Sequence, residues 1–137
     1  MGFGEAVKSC FKNYVNFEGR ASRSEFWFFR LFMFLTIIGA IVLAAIAAAI
    51  GGDSAQSVPG VTGLLMGVFF LGILLPDISV SVRRLHDTNK SGFWLLISFI
   101  PFGGIVLLVF FCTGSDSGPN RFGPNPYARN TIAKTFE

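Results

Sequence analysis

The residues best suited to chemistry lie at the end of the second apolar stretch, where Asp77 precedes the run Arg83-Arg84-Leu85-His86-Asp87. An aspartate that follows a proline inside an apolar helix is costly to bury, so Asp77 is expected to pair with a cation or to face a wet cavity. Arg84 lies two helical turns further on roughly the same face, and Arg30 lies at the matching depth of the first apolar stretch. We favour a structural ion pair that holds the helices together, since polar side chains within membranes also serve packing.

The functional alternative makes Asp77 a proton or cation site with His86 as its proton-exchanging neighbour. One histidine beside one or two carboxylates is weak evidence for zinc, so neither a metal nor another cofactor is predicted. Cys10 and Cys112 lie at opposite ends of the chain and far from His86, and no serine sits in a nucleophile elbow. We therefore predict no catalytic nucleophile.

A second group of candidates consists of basic and aromatic residues expected at the level of the lipid headgroups. The predicted headgroup contacts are Arg20, Arg23, Glu25, Trp27 and Trp94, and the candidate tail motif contains Asn120 and Arg121. The cations of the second loop have two possible roles, which are orienting the chain in the membrane and binding an anionic headgroup or phosphate in an interhelical pocket. Orientation alone already explains their presence, so it is the favoured interpretation.

The composition places these residues in a membrane. Apolar residues make up 52% of the chain and charged residues only 14%, against roughly a quarter in soluble domains. The 17 Phe residues also suit a lipid-facing surface. The net charge of +3 is small and its cations are spread along the connecting segments, which argues against nucleic-acid binding.

The chain reads as one membrane domain over 1–137 with an N-terminal amphipathic helix. Residues 1–15 place apolar side chains on one helical face, which favours a helix at the membrane interface or one packed on the protein itself. Ser22 and Glu25 form a capping box that predicts a helix start, and the first span is assigned to 23–50.

Two further apolar stretches follow. The second span is assigned to 61–84, where Pro76 is expected to kink the helix and free a backbone carbonyl. The third is assigned to 91–112, and its central Pro101 and Gly103-Gly104 allow either a kinked span or a re-entrant hairpin. We favour the span, because exposed loop backbone is costly in hydrocarbon, and we assign 113–137 to an irregular tail.

The positions of the cations predict the orientation. Lys8, Lys12, Arg20 and Arg23 precede the first span, and Arg83, Arg84 and Lys90 lie in the second loop. The positive-inside rule then puts the N-terminus and the second loop in the cytoplasm. Three full spans would place the basic tail outside, which runs against the rule and is the best argument for the hairpin.

Four ordered motifs carry a family resemblance. They are Tyr14-Val15-Asn16-Phe17-Glu18-Gly19-Arg20-Ala21-Ser22-Arg23-Ser24-Glu25-Phe26-Trp27, Arg83-Arg84-Leu85-His86-Asp87-Thr88, Ser91-Gly92-Phe93-Trp94, and Asn120-Arg121-Phe122-Gly123-Pro124-Asn125-Pro126. Together they resemble the family of small bacterial inner-membrane proteins called domain of unknown function 805, although that family usually has Asp at Asn125 and often Trp at Phe93. The resemblance implies a bacterial inner-membrane location and an all-helical, multi-pass fold, and it implies no reaction.

Three function hypotheses remain open at this point. The leading one is a non-enzymatic accessory, scaffold or self-associating module in contact with membrane lipids and with a protein partner or further copies of itself, since Gly39, Ala40, Gly67 and Gly72 suit helix packing. The second is a small oligomeric transporter or channel with Asp77 in a polar path. The third is a lipid-headgroup enzyme that needs His86 and Asp87 on one water-accessible surface.

Overall fold

The helices of the chain account for most of the residues that the structure describes. A computed structural model describes residues 1–51 and 58–128. Four α-helices and one 3₁₀ helix occur among them, with no β-strand in these two ranges. The predicted all-helical fold is therefore confirmed. Most of the polar turn predicted around 51–60 and the end of the predicted tail, 129–137, lie outside the described residues.

Helix α1 spans Phe3–Lys12 and is amphipathic, as predicted. Its Ala6 and Cys10 are fully buried. Phe3 and Phe11 remain partly exposed while their rings meet aromatic rings of the next helix edge-on, at centroid distances of 6.0 Å from Phe28 and 5.9 Å from Phe29. The helix packs on the protein, and its predicted place at the membrane interface stays a prediction.

Helix α2 spans Arg23–Ile50 and begins where the capping residues predict. The Ser22 hydroxyl accepts a hydrogen bond of 3.2 Å from the Glu25 backbone N–H. The Glu25 carboxylate does not complete the capping box, because it bonds Arg83 instead. With 28 residues and a mean hydropathy of 2.7 in its most apolar window, α2 is long enough for a bilayer core of about 30 Å.

Helix α3 spans Val58–Asp87 and contains Pro76. A proline removes the N–H that would bond the carbonyl four residues earlier, here that of Gly72. The Tyr14 hydroxyl donates to this carbonyl, so the predicted free acceptor is present and has a partner. The most apolar window of α3 has a mean hydropathy of 2.0, which makes α3 the second helix suited to crossing a membrane.

The third apolar segment folds back on itself. A 3₁₀ helix spans Gly92–Phe99, and α4 spans Gly103–Cys112. The Trp94 and Phe110 rings lie 5.4 Å apart, so the two ends of the segment are neighbours. The segment over 91–112 is therefore two short helices packed on each other and not one kinked helix, while its placement in the membrane stays a prediction.

The tail returns to the end of α3. The Asp116 backbone N–H donates to the Asp87 carbonyl over 3.1 Å, and Asn120 and Gly123 bond each other through their backbones over 3.1 and 3.0 Å. The buried core lies at this same end, where the rings of Phe26 and Phe111 are 4.5 Å apart. By contrast, no residue in the most apolar window of α2 is buried.

Candidate functional site

Five buried charged side chains form the candidate site at the end of the helices where the core lies. We call them the polar cluster, and they are Arg20, Glu25, Arg83, Arg84 and Asp87. They come from the segment before α2, the first turn of α2 and the last turn of α3. Three ion pairs join them into two groups, one of Arg20, Asp87 and Arg84 and the other of Glu25 and Arg83.

Asp87 connects most of the cluster. Its Oδ1 accepts from Arg20 Nε over 2.9 Å, and its Oδ2 accepts from Arg84 Nη1 and from the Ser115 hydroxyl. Its backbone carbonyl accepts from Arg20 Nη2 over 3.2 Å and from the Asp116 N–H. The side chain is fully buried, so these protein donors replace the water that an exposed carboxylate would bind.

Arg20 is bonded through all three of its guanidinium nitrogens. Besides Asp87, it donates to the carbonyls of Gly118, Asp116 and Gly123 over 2.8, 2.9 and 3.3 Å. A guanidinium has five N–H donors, and the five hydrogen bonds of Arg20 match that number. Arg20 therefore fastens the tail to the segment before α2.

Arg84 joins the end of α3 to the end of α4. It pairs with Asp87 one helical turn later, and it donates to the carbonyls of Phe111 and Thr113. These carbonyls belong to the last turn of α4 and its C-cap, which lack helical partners. Of the two cations considered as partners of Asp77, Arg84 therefore pairs with Asp87 instead.

Glu25 and Arg83 form a second buried pair on the α1 side. Arg83 Nη1 donates to Glu25 Oε1 over 2.9 Å, and the Ser9 hydroxyl donates to the same oxygen over 3.0 Å. Both charged side chains are about 5% exposed. The first turn of α2 is thereby bonded to α1 and to α3 at once.

The Cys10 thiol lies against this pair. Its Sγ is 3.9 Å from Glu25 Oε1. Burial, together with the nearby Glu25 carboxylate, raises the pKa of the Cys10 thiol to about 12. Because the thiolate is the nucleophilic form, Cys10 remains a neutral and unreactive part of the core near neutral pH.

His86 contacts the tail, and it lines the same groove as Asp77 without bonding it. Its Nδ1 donates to the Gly19 carbonyl over 3.1 Å, which fixes the tautomer. Its ring stacks on that of Phe122, with a distance of 3.8 Å between the ring centroids and an angle of 1° between the ring planes. The Asn120 side chain donates to the His86 carbonyl over 2.9 Å. The predicted role of His86 as a proton-exchanging neighbour of Asp77 has no supporting contact among the described residues.

Asp77 makes the other expected pairing. Its Oδ1 lies 3.3 Å from Arg30 Nη2, although the angle does not make this ion pair a hydrogen bond. The two side chains are 20% and 39% exposed, so this pair is less enclosed than those of the polar cluster. Asp77 also lines a groove of about 780 Å³ between α3 and the 3₁₀ helix, whose walls are mostly apolar.

The predicted headgroup contacts divide into two groups. Arg20 and Glu25 are buried in ion pairs, whereas Arg23, Trp27 and Trp94 are exposed, and contact of these five residues with headgroups stays a prediction. In the tail motif, exposed Arg121 places its guanidinium carbon 4.7 Å from the centre of the Phe122 ring.

Comparison with known proteins assigns the chain to a family. A family model described as "Protein of unknown function (DUF805)" matches residues 14–124. The chain belongs to the DUF805 family. The matched region of this DUF805 chain holds the whole polar cluster, and the resemblance inferred from the four motifs is confirmed.

Similar proteins carry membrane names. The chain is 45% identical over 120 residues to "Inner membrane protein YhaI" of Escherichia coli strain K12, covering 86% of this chain and 92% of that protein. It is 40% identical over 116 residues to "Inner membrane protein YhaH" of the same strain, covering 84% and 90% respectively. These relatives agree with the two apolar helices in identifying a membrane protein. A search of solved structures finds no significant match.

The geometry of this DUF805 chain bears on the enzyme hypothesis. That hypothesis requires His86 and Asp87 on one water-accessible surface, but Asp87 is fully buried and both of its carboxylate oxygens accept hydrogen bonds. The condition is not met, so the headgroup-enzyme alternative fails. No group of three or more His, Cys, Asp and Glu side chains that could hold a metal occurs within residues 1–51 and 58–128.

Sequence reasoning missed the contacts that bind the tail. Ser115, Asp116 and Gly118 were assigned to an irregular tail, yet they supply a hydroxyl, a backbone N–H and carbonyls to Arg20 and Asp87. The available signal was the DUF805 motif pattern itself. Polar motifs that lie far apart in a mostly apolar chain are candidates for contact with each other, because a buried charge needs a partner.

Proposed function

We propose that this protein is a non-enzymatic, self-associating membrane module in which the polar cluster is a structural clamp and α3 provides the contact between copies. The observation that carries the proposal is a face of small residues on α3 that no residue within 1–51 and 58–128 covers. A Cβ atom built on Gly60, Gly63 or Gly67 would meet no atom within 4 Å. All three positions are exposed.

The spacing of these glycines fits helix association in lipid. Gly63 and Gly67 are four residues apart and form a GxxxG pair, which lets two helix backbones approach closely. At about 100° per residue they lie roughly opposite the side of α3 that buries Ile73, Pro76 and Val80. The face is therefore available to a second copy while the first packs its own core.

The proposed topology has the N-terminus, the second loop and the tail in the cytoplasm. Helices α2 and α3 cross the inner membrane, and the segment over 91–112 enters and leaves on the cytoplasmic side. An 8-residue 3₁₀ helix and a 10-residue α-helix each extend only about 15 Å, half of the bilayer core. This arrangement also keeps the basic tail on the side that the positive-inside rule favours.

Energy transfer between labelled copies tests the self-association. Donor- and acceptor-labelled protein is reconstituted together in phospholipid vesicles, and transfer is followed as lipid is added. The Gly63→Leu, Gly67→Leu double variant should weaken association by about tenfold, because it removes the close approach of the helices. Gly104→Leu is the matched control, since Gly104 is also an open helical glycine but lies in α4.

The energy-transfer results distinguish self-association through α3 from its absence. Transfer above the random level in the wild type and in Gly104→Leu, with loss in the double variant, supports the proposal. Random transfer in the wild type, or transfer that the double variant leaves unchanged, would overturn it. Leucine has room at both positions in the single chain, so thermal unfolding in detergent should stay near the wild-type midpoint.

The transporter alternative has weaker support. It expects Asp77 to face a polar cavity, whereas Asp77 pairs with Arg30 and the groove beside it is lined mainly by apolar side chains. The scaffold hypothesis predicts that Asp77 forms an ion pair, as it does with Arg30.

A further inference from the structure

A pocket of about 420 Å³ lies beside the polar cluster, where the end of α1, the start of α2 and the tail meet. Lys12, Ser22, Ser24, Arg83 and Asn125 are among the side chains that line it. Neither the self-association nor the clamp uses this space. Its donors point to a ligand with several acceptor oxygens.

The decisive feature is the unused edge of the Arg83 guanidinium. The Arg83 side chain is 5% exposed, and Nη1 donates to Glu25 over 2.9 Å. Its Nε and Nη2 are buried and have no hydrogen-bond partner in the described part of the chain. Leaving buried donors without partners costs free energy, and the other buried arginines of the cluster, Arg20 and Arg84, are bonded through all three nitrogens.

Those two nitrogens form one edge of the guanidinium plane. The Nε–H bond and one N–H bond of Nη2 run nearly parallel, and this fork binds two oxygens of one phosphate or carboxylate. Glu25 occupies the end at Nη1, and the two nitrogens of the fork are buried at the wall of the pocket that Arg83 lines. Arg83 can therefore keep its structural pair and bind a ligand at the same time.

The rest of the pocket favours an anion with more than two oxygens. The Ser22 and Ser24 hydroxyls are 3.0 Å apart, and Lys12 lines the same space from α1. The start of the 28-residue α2 adds the positive end of a helix dipole. Glu18 and Glu25 also line the pocket and oppose an anion, while Lys12 offsets the charge of Glu18 and the ion pair with Arg83 offsets that of Glu25.

We propose that this pocket binds a phosphate group, with the unused edge of Arg83 as its bidentate donor and Lys12 as its second cation. The phosphate is that of an anionic lipid headgroup or a free phosphate in the cytoplasm, and these two sources share the same chemistry. The pocket adjoins α1, whose exposed Phe3 and Phe11 suit contact with the bilayer surface.

The test uses the full chain in maltoside micelles, which contain no phosphate. Thermal unfolding is measured against increasing inorganic phosphate in one series and against increasing phosphatidylglycerol in another, with diacylglycerol as the lipid that lacks phosphate. A ligand that binds only the folded protein raises the midpoint in proportion to its affinity. A rise with inorganic phosphate identifies free phosphate as a ligand, and a rise with phosphatidylglycerol alone identifies the headgroup.

The variants separate binding from folding. Arg83→Lys keeps a cation for Glu25 but lacks the fork, so the affinity should fall by about tenfold or more. Lys12→Gln removes an exposed cation of the pocket and should weaken binding a few-fold, whereas Lys8→Gln, one helical turn earlier and outside the pocket, should bind as the wild type does. The proposal is overturned if neither phosphate compound raises the midpoint, if diacylglycerol raises it equally, or if Arg83→Lys and Lys12→Gln both bind normally.

Discussion

Asp87 is the side chain on which the polar cluster depends most. Two arginines from different parts of the chain, Arg20 and Arg84, share its carboxylate, and all three side chains are nearly or fully buried. Removing one partner of a buried ion pair is costly, because the remaining charge lacks both water and a counter-charge. At Asp87 a single substitution would strand two cations.

An Asp87→Ala variant should therefore lose about 3–5 kcal/mol of unfolding free energy, the range expected when a buried pair is broken. The measurement is denaturant unfolding in detergent micelles. Glu18→Ala is the control, since Glu18 is an exposed carboxylate in the segment that also carries Arg20, and its loss should change the free energy of unfolding by less than about 0.5 kcal/mol. Equal effects of the two variants would mean that Asp87 does not hold the cluster together.

The hairpin formed by the 3₁₀ helix and α4 depends on one close backbone contact. A Cβ atom built on Gly103 would lie 1.6 Å from the Ile97 carbonyl oxygen, which is part of the backbone and cannot move aside as a side chain can. The next residue, Gly104, would meet nothing within 4 Å. Two adjacent glycines thus have opposite requirements, and only the first is needed for the fold-back.

Gly103→Ala should destabilise the protein by about 1–3 kcal/mol or more, as overpacking does, while Gly104→Ala should be neutral or stabilising by up to about 1 kcal/mol. Thermal unfolding of both variants in the same detergent compares them directly. A Gly103→Ala variant as stable as Gly104→Ala would show that the two short helices do not pack as described.

Local features of these elements were predictable from the sequence. The Ser22 cap fixed the start of α2, and Pro76 predicted the free Gly72 carbonyl, because both effects act within one helical turn. The hairpin was not predictable in this way, since a kinked span and a fold-back share the same apolar pattern around Pro101. What separates them is the position of the tail, which is set by its contacts with Arg20 and Asp87 in earlier parts of the chain.

The partners of the polar cluster were also beyond local patterns. Arg20 is 67 residues from Asp87 and 98 residues from Gly118, so no periodicity connects them. Asp77 and Arg84 share a helical face by spacing, yet Arg84 meets a closer carboxylate at Asp87. Proximity along the helix decided that pairing, and the contact with α2 decided the pairing of Asp77 with Arg30.

At the scale of the whole molecule, stability is concentrated at one end. The polar cluster, the buried core and the tail contacts lie together, while the most apolar part of α2 has no buried residue. A bilayer would cover those exposed surfaces, and the clamped end would stand at its cytoplasmic face. The proposed architecture therefore has a clamped cytoplasmic end and helices that the lipid covers.

Cysteine labelling in intact cells shows on which side of the membrane α1, the start of α3 and the tail lie. In a background with Cys10→Ala and Cys112→Ala, single cysteines replace Lys8, Gly60 and Ser117, all of which are exposed. The proposed topology predicts that a membrane-impermeant maleimide labels the Gly60→Cys variant from outside. It predicts that the reagent labels Lys8→Cys and Ser117→Cys only after the cells are permeabilised. Labelling of Ser117→Cys in intact cells would put the tail on the far side from α1 and contradict the clamp.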